Sequence, residues 1–323
     1  MPKPLLQVKQ LKKYFMTSAG PLHAVDNVSF DIEKGETLGL VGESGCGKST
    51  CGRAILRMND PNSGEVWFKG KDILKLTLRK DLLAMKQKMQ IVFQDPYSSL
   101  NPRLNTADLI ADPLRINKMG RNREELRTRV MEAMQQVGLE ERLYDAYPHE
   151  LDGGRRQRIG IARALVLEPE FVVMDEPVSA LDVSIQAQIL NLLMDLQDEH
   201  KLTYLFVAHN LSVVKHISNR IAVMYLGKVV EIAPSSAIFK NALHPYTQAL
   251  LSAIPIANVH VKREQIILEG DVPSPVNPPA GCRFCGRCRH ALPICSQVSP
   301  KLKDMGNDHQ VACFLHHNEQ EEM

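Results

Sequence analysis

The sequence has no apolar run near the ~18 residues that a membrane-spanning helix needs. Its longest apolar stretches, such as Ile189-Leu190 and Leu192-Leu193-Met194, are interrupted by polar residues. The start, Met1-Pro2-Lys3-Pro4-Leu5, lacks the long apolar core of a secretory signal, so the chain is expected in the cytosol, by itself or on a membrane-embedded partner. Excess charge is missing too. Thirty-nine Lys and Arg against 37 Asp and Glu leave a net charge of +2. That is not the basic surplus of a duplex-binding protein, so no nucleic-acid partner is expected. There is no internal repeat and no low-complexity tract. A composition 44% hydrophobic and 24% charged excludes disorder, collagen and a disulfide-dense scaffold. A chain of 323 residues has room for one large or two modest domains.

What is present is unevenly placed. Cys46 and Cys51 lie early, and the other five cysteines fall between 282 and 313. In a cytosolic chain such a cluster suggests a metal before disulfides.

The first two-thirds reads as α/β. Three short apolar runs, Thr37-Leu38-Gly39-Leu40-Val41, Phe171-Val172-Val173-Met174 and Tyr204-Leu205-Phe206-Val207-Ala208, fit strands of a parallel sheet buried on both faces. They end in Gly42, Asp175-Glu176 and His209, on the side where such sheets bind ligands. Val8 to about Phe30, with Glu65–Gly70 after the turn Pro61-Asn62-Ser63-Gly64, looks like antiparallel strand material. Residues 104–148 read as helical: Leu126, Val130, Met134 and Val137 share one face, and Gly138 is a stop. A composition change near 230 and the prolines 273, 275, 278 and 279 place a domain boundary at 235/236, ahead of a polar tail from His316 to Met323.

Gly42-Glu43-Ser44-Gly45-Cys46-Gly47-Lys48-Ser49-Thr50 fits G-x-x-x-x-G-K-[ST] between a strand and a helical run. Its glycines let backbone N–H groups turn inward on phosphate oxygens. Lys48 reaches the β- and γ-phosphates, Ser49 ligates Mg²⁺, and the helix that follows points its positive end at the anion. Cys46 contributes backbone rather than a nucleophile. At the end of the second strand, Asp175 is suited to the Mg²⁺ shell and Glu176 to holding a water as general base.

Leu151-Asp152-Gly153-Gly154-Arg155-Arg156-Gln157-Arg158 resembles the LSGGQ signature of ATP-binding cassette (ABC) ATPases. The other family motifs stand in order. Gln94 in Val92-Phe93-Gln94-Asp95-Pro96 resembles the Q-loop, Ser179-Ala180-Leu181-Asp182 the D-loop, and His209 the switch histidine. Phe15, or less well Tyr14, resembles the aromatic that stacks on adenine. The resemblance implies an ABC nucleotide-binding domain over 1–235. Its parts are a RecA-like core, an antiparallel β subdomain and a helical subdomain at about 95–165. It also implies ATP hydrolysis that uses Lys48, Gln94, Glu176 and His209, with Mg²⁺ held through Ser49 and Gln94. In such proteins two cassettes enclose two nucleotides head to tail, and Asp152, Gly153, Gly154 and Arg155 would face the partner's ATP.

The chain departs from the family pattern at three positions. Asp152 stands where the signature has serine, which can donate to the γ-phosphate; an ionised Asp brings like charge, worth about 4 kcal/mol at ~4 Å and an effective dielectric near 20. Arg155 replaces glutamine, and Asn210 replaces the Asp after the switch histidine. The expectation is an asymmetric heterodimer, with the site built on this chain's own Lys48, Glu176 and His209 competent, given a good partner signature, and the site using its signature impaired.

His244-Pro245-Tyr246-Thr247-Gln248-Ala249-Leu250-Leu251, Gly270–Pro275 with Pro278–Cys282, and Phe93–Arg103 resemble hallmarks of the oligopeptide, dipeptide and nickel importer ATPases. The cysteines run Cys282-x₂-Cys285-x₂-Cys288-x₆-Cys295-x₁₇-Cys313. By themselves, four thiolates suit Zn²⁺ or a 4Fe–4S cluster. The resemblance points to 4Fe–4S on Cys282, Cys288, Cys295 and Cys313, with Cys285 extra, in a small domain over 236–323. It further implies a sibling ATPase, two transmembrane permease subunits, an extracytoplasmic solute-binding protein and a peripheral place on the cytoplasmic face of the membrane. The expected cargo is di- or oligopeptides. Nickel or another small solute is the alternative, and a soluble non-transport ABC ATPase is further off.

Overall fold

The computed structural model describes residues 3–120, 122–254 and 265–316; residues 317–323 of the polar tail lie outside it. Chain contacts divide the protein into two units. One is made of Ile32–Glu36 and Phe68–Val207 with the N-terminal residues through Leu5. The other joins Leu6–Asp31 and Thr37–Trp67 to everything from Ala208 onward.

In the first unit the strands Met89–Val92, Phe171–Asp175 and Thr203–Ala208 run parallel, with Met89 opposite Phe171 and Phe171 opposite Thr203. Phe171–Asp175 and Thr203–Ala208 are buried at every position, which is why their sequence is a continuous apolar run rather than an alternation. Helices make up much of the rest of this unit. The segment 104–148 holds two of them, Thr106–Ile116 and Arg123–Gln136. Asn105 and Asn122 cap their N-termini by accepting the N–H of Asp108 and Glu125. Val130, Met134 and Val137 face the core, and Gly138 ends the second helix with φ of +67°. The helix Gly153–Leu165 packs against both.

In the second unit the strands Leu6–Thr17, Gly20–Ile32 and Ser63–Phe68 supply the expected antiparallel layer. The strand Thr37–Val41, wholly buried, pairs in parallel with Arg220–Tyr225. That strand pairs antiparallel with Lys228–Pro234, through an irregularity between Val229 and Glu231. The sheet continues into the C-terminal segment, where Gln310–Val311 pairs with Glu231 and Ile232, and Lys303–Asp304 pairs with Gln310–Val311. Residues after 235 thus extend the sheet that carries the phosphate loop. Among the described residues no helix is long and apolar enough to cross a membrane.

Candidate functional site

The loop after Val41 is closely fitted in the second unit. Gly47 has φ of +103°, and a Cβ there would come within 1.9 Å of the Ala24 carbonyl oxygen, so only glycine fits. The buried Lys48 donates from Nζ to the carbonyl oxygens of Gly42 (2.9 Å) and Glu43 (3.0 Å), which places its ammonium at the centre of the loop. Ser49 and Thr50 enter the helix Lys48–Ile55. Ser44 and Gly45 at the loop's tip are exposed. Cys46 is buried, and burial raises its thiol pKa, which agrees with a packing role and not a nucleophile's.

Of the two candidate adenine aromatics, Tyr14 is committed elsewhere. Its hydroxyl donates to Asp26 at 2.6 Å, and its ring stacks on His23 at 4.0 Å. Phe15 is exposed, and the Lys13 ammonium lies over its ring, 5.1 Å from the centroid. His209 is exposed at the end of its strand. The Asn210 side chain accepts the Ser212 N–H at 2.8 Å and caps the helix Leu211–Ile217, a role an Asp would fill equally well.

The first unit carries the other motifs. Asp175 is fully buried at its strand end. Glu176 follows with φ of +49°, its N–H bonded to the Val207 carbonyl. Gln94 donates from Nε2 to Glu176 Oε2 at 3.0 Å, so the Q-loop amide and the expected general base meet. The Ser179 hydroxyl donates to the Glu176 carbonyl oxygen at 3.0 Å, which ties the D-loop to the same turn. Asp182 opens the helix Val183–His200.

Asp152 is the N-cap of the signature helix: its carboxylate accepts the Arg155 N–H at 2.8 Å. A carboxylate at a helix N-terminus is favourable in itself. The Arg155 guanidinium lies 3.5 Å from Asp152 and 3.7 Å from Glu140, so the charge is partly offset. A Cβ on Gly154 would come within 2.8 Å of Ile185 Cγ2, so the close approach of the helix after the D-loop requires a glycine. Arg156 stacks on Tyr97 at 3.9 Å, and Arg163 donates to the Ser99 carbonyl at 2.7 Å. Together they fasten the segment after Gln94 to the signature helix, a link that the sequence reading missed because its partners share no motif.

The five C-terminal cysteines are gathered into one small region. The Cys282 N–H donates to the Cys295 carbonyl at 2.7 Å. Burial pushes the Cys282 thiol up to about 12 and Cys313 to about 11, and neighbouring thiols add to both shifts. Yet among the described residues no group of three or more His, Cys, Asp or Glu is arranged to hold a metal ion. The expected convergence of Cys282, Cys288, Cys295 and Cys313 on one centre is therefore not formed in this structure.

A P-loop with an inward lysine, a Gln–Glu pair and a capped glycine signature define an ATP-binding cassette, and the comparisons agree. Residues 25–179 match the ABC transporter family model, and residues 230–295 match the model of the oligopeptide/dipeptide transporter C-terminal region. The chain is 50% identical over 321 residues to the oligopeptide transport ATP-binding protein AppF of Bacillus subtilis (strain 168), covering 97% of each. It is 50% identical over 318 residues to the dipeptide transport ATP-binding protein DppF of Escherichia coli (strain K12), covering 97% of this chain and 94% of that one. Among solved structures, a dimeric post-hydrolysis state of the ATP-binding cassette MJ0796 bound to ADP and Pi is similar. It has TM-score 0.65 and 31% identity, over 71% of this chain and 98% of that one. The chain belongs to the ABC ATP-binding proteins of the oligopeptide/dipeptide transporter family.

Proposed function

We propose that this chain is the ATP-hydrolysing subunit that energises an importer of di- or oligopeptides. The observation that carries this is identity of about one half, over nearly the whole length, to proteins named for oligopeptide and dipeptide transport. The intact Lys48 loop and the Gln94–Glu176 hydrogen bond support it. In this reading the loop Gly42–Thr50 takes the triphosphate, Phe15 stacks on the base, and Lys48 neutralises the β- and γ-phosphates. Ser49, Gln94 and Asp175 serve Mg²⁺, Glu176 holds the attacking water, and His209 senses the γ-phosphate. The chain works with a sibling ATPase on the cytoplasmic side of two permease subunits, fed by an external solute-binding protein. ATP binding closes the two cassettes, hydrolysis opens them, and the motion is passed to the membrane subunits.

The two ATP sites are unequal in this proposal. An ionised Asp152 accepts hydrogen bonds and donates none, so it does not replace a serine hydroxyl toward a γ-phosphate. Its exposure and its neighbour Arg155 reduce the like-charge cost to about 1 kcal/mol. The cysteine set enters as a separate proposal, a 4Fe–4S cluster or Zn²⁺ that staples the small C-terminal region. Iron, sulfide and zinc analysis of anaerobically purified protein decides between them.

The functional test is the reconstituted complex with the sibling's site silenced. Peptide uptake and ATP turnover should both collapse on Glu176→Gln; turnover at the wild-type rate would overturn the reading. Comparing Lys48→Ala here with the equivalent change in the sibling tests the asymmetry, and equal losses would refute it.

A further inference from the structure

The phosphate loop is held from outside by residues far along the chain. The Glu43 N–H donates to the Tyr246 hydroxyl at 2.9 Å, across 203 residues of sequence. The Glu43 carboxylate takes both oxygens to Arg287 Nη1, at 2.9 and 3.2 Å, across 244 residues. Arg287 also reaches the Tyr225 hydroxyl at 3.4 Å. Tyr246 is fully buried, with its ring 4.7 Å from Tyr225 and 5.4 Å from Phe284. The Tyr246 hydroxyl is carried by this buried ring cluster, and Arg287 by the turn Cys285–Arg287 that follows Phe284. Burial keeps the Tyr246 hydroxyl protonated. The Arg287 side chain is 9% exposed and the Glu43 side chain 26%, so the ion pair is partly withdrawn from solvent. Both Tyr246 and Arg287 fall in the stretch 230–295 that matches the transporter C-terminal region, and outside the 25–179 that matches the ABC transporter model.

We propose that Arg287 and Tyr246 are positioning residues for the phosphate loop, so that the cysteine-bearing C-terminal region sets this chain's affinity for ATP. The inference rests on the reading that the Lys48 loop binds ATP. Arg287 masks a carboxylate that stands next to Gly42, on a loop built to receive a polyanion. Without it, Glu43 repels the triphosphate through a partly desolvated path. Tyr246 takes the Glu43 N–H at the loop entrance, which holds the chain direction from which the following N–H groups turn inward. Neither residue touches the reacting atoms, so the effect falls on binding and not on the chemical step.

The experiment titrates the purified full-length chain with a fluorescent ATP analogue and Mg²⁺, then measures KM and kcat in the assembled complex. Arg287→Met should weaken binding about tenfold, and Arg287→Lys less. Adding Glu43→Gln to Arg287→Met should recover most of the loss, because the unmasked charge is gone. Tyr246→Phe, which keeps the buried ring, should weaken binding about threefold. In the complex KM should rise by the same factors while kcat stays within about twofold. Wild-type affinity in Arg287→Met, or no recovery in the double variant, would overturn the proposal. If Arg287→Met does not fold, Tyr246→Phe decides alone, and an unchanged Kd there overturns it. Lys48→Ala separates the two layers. If it binds normally, the ATP-loop reading itself fails. If it loses binding while Arg287→Met and Tyr246→Phe bind as wild type, only the positioning role fails.

Discussion

The phosphate loop and the signature loop are both glycine-rich turns leading into helices, yet they are held by different means. The phosphate loop is tethered over long sequence distances, by Tyr246, Arg287 and the Gly227 N–H that reaches the Cys46 carbonyl at 2.8 Å. The signature loop gets its start locally, from Asp152 capping its own helix, and the body of that helix is fastened farther along the chain by Gly154 against Ile185, Arg156 on Tyr97 and Arg163 on the Ser99 carbonyl. A loop that must aim many N–H groups at one ligand needs support on its outer face. A loop that offers a helix N-terminus needs only a defined start. Aspartate supplies that start as well as serine does, which explains how the chain tolerates the departure structurally.

Substitutions at the two loops should have unequal consequences. The largest effect should come from the Gln94–Glu176 turn: Glu176→Gln should lower ATP turnover of the complex by about 10²- to 10³-fold with nucleotide binding retained, as measured by steady-state hydrolysis and titration. Next, the two glycines should differ. Gly47→Ala forces a Cβ against the Ala24 carbonyl oxygen and should weaken nucleotide binding at least about tenfold. Gly154→Ala presses a Cβ on Ile185 within the packing of the signature helix and not on the phosphate loop, and should affect the affinity of the isolated chain far less.

The tethered side should also be acid-sensitive. His244 is buried, accepts the Tyr246 N–H on Nδ1 at 3.1 Å, and is pushed by burial from 6.5 down to about 3. Its folded pKa lies below the unfolded one, so below about 6.5 the unfolded chain takes up a proton that the folded chain refuses until about pH 3. Stability is therefore lost as pH falls through that window, by about 2 kcal/mol at pH 5. Urea denaturation at pH 7.5 and 5 should show this loss, and His244→Gln should flatten it. The smallest effect belongs to the cap: Asp152→Ala should cost about 1 kcal/mol of stability, while Asp152→Ser should cost almost nothing by the same measurement.

Much of the site was readable because its chemistry is local. The apolar runs that end at Gly42, Asp175 and Ala208 are strands because they are buried on both faces, and the motif residues follow them directly. The resemblance of Asp152–Arg158 and Gln94 to family motifs rests on short spacings that survive without a structure. Two readings were sharpened. The helical stretch 104–148 is two capped helices, and Phe15 is separated from Tyr14 by the Asp26 hydrogen bond. The cysteine spacing pointed to a shared centre that the described geometry does not form. Spacing fixes which thiols are near, not whether their sulfurs point at one another.

Hydrophobic period and motif spacing act over a few residues, so the chain alone disclosed the class of chemistry and the three buried runs that end at Gly42, Asp175 and His209. The strands Met89–Val92, Arg220–Tyr225 and Lys228–Pro234, and the hold on the phosphate loop, came only with the fold. A carboxylate at 43 meets a guanidinium at 287 and a phenol at 246 through the packing of buried rings, and no periodicity in one dimension encodes a contact made in three.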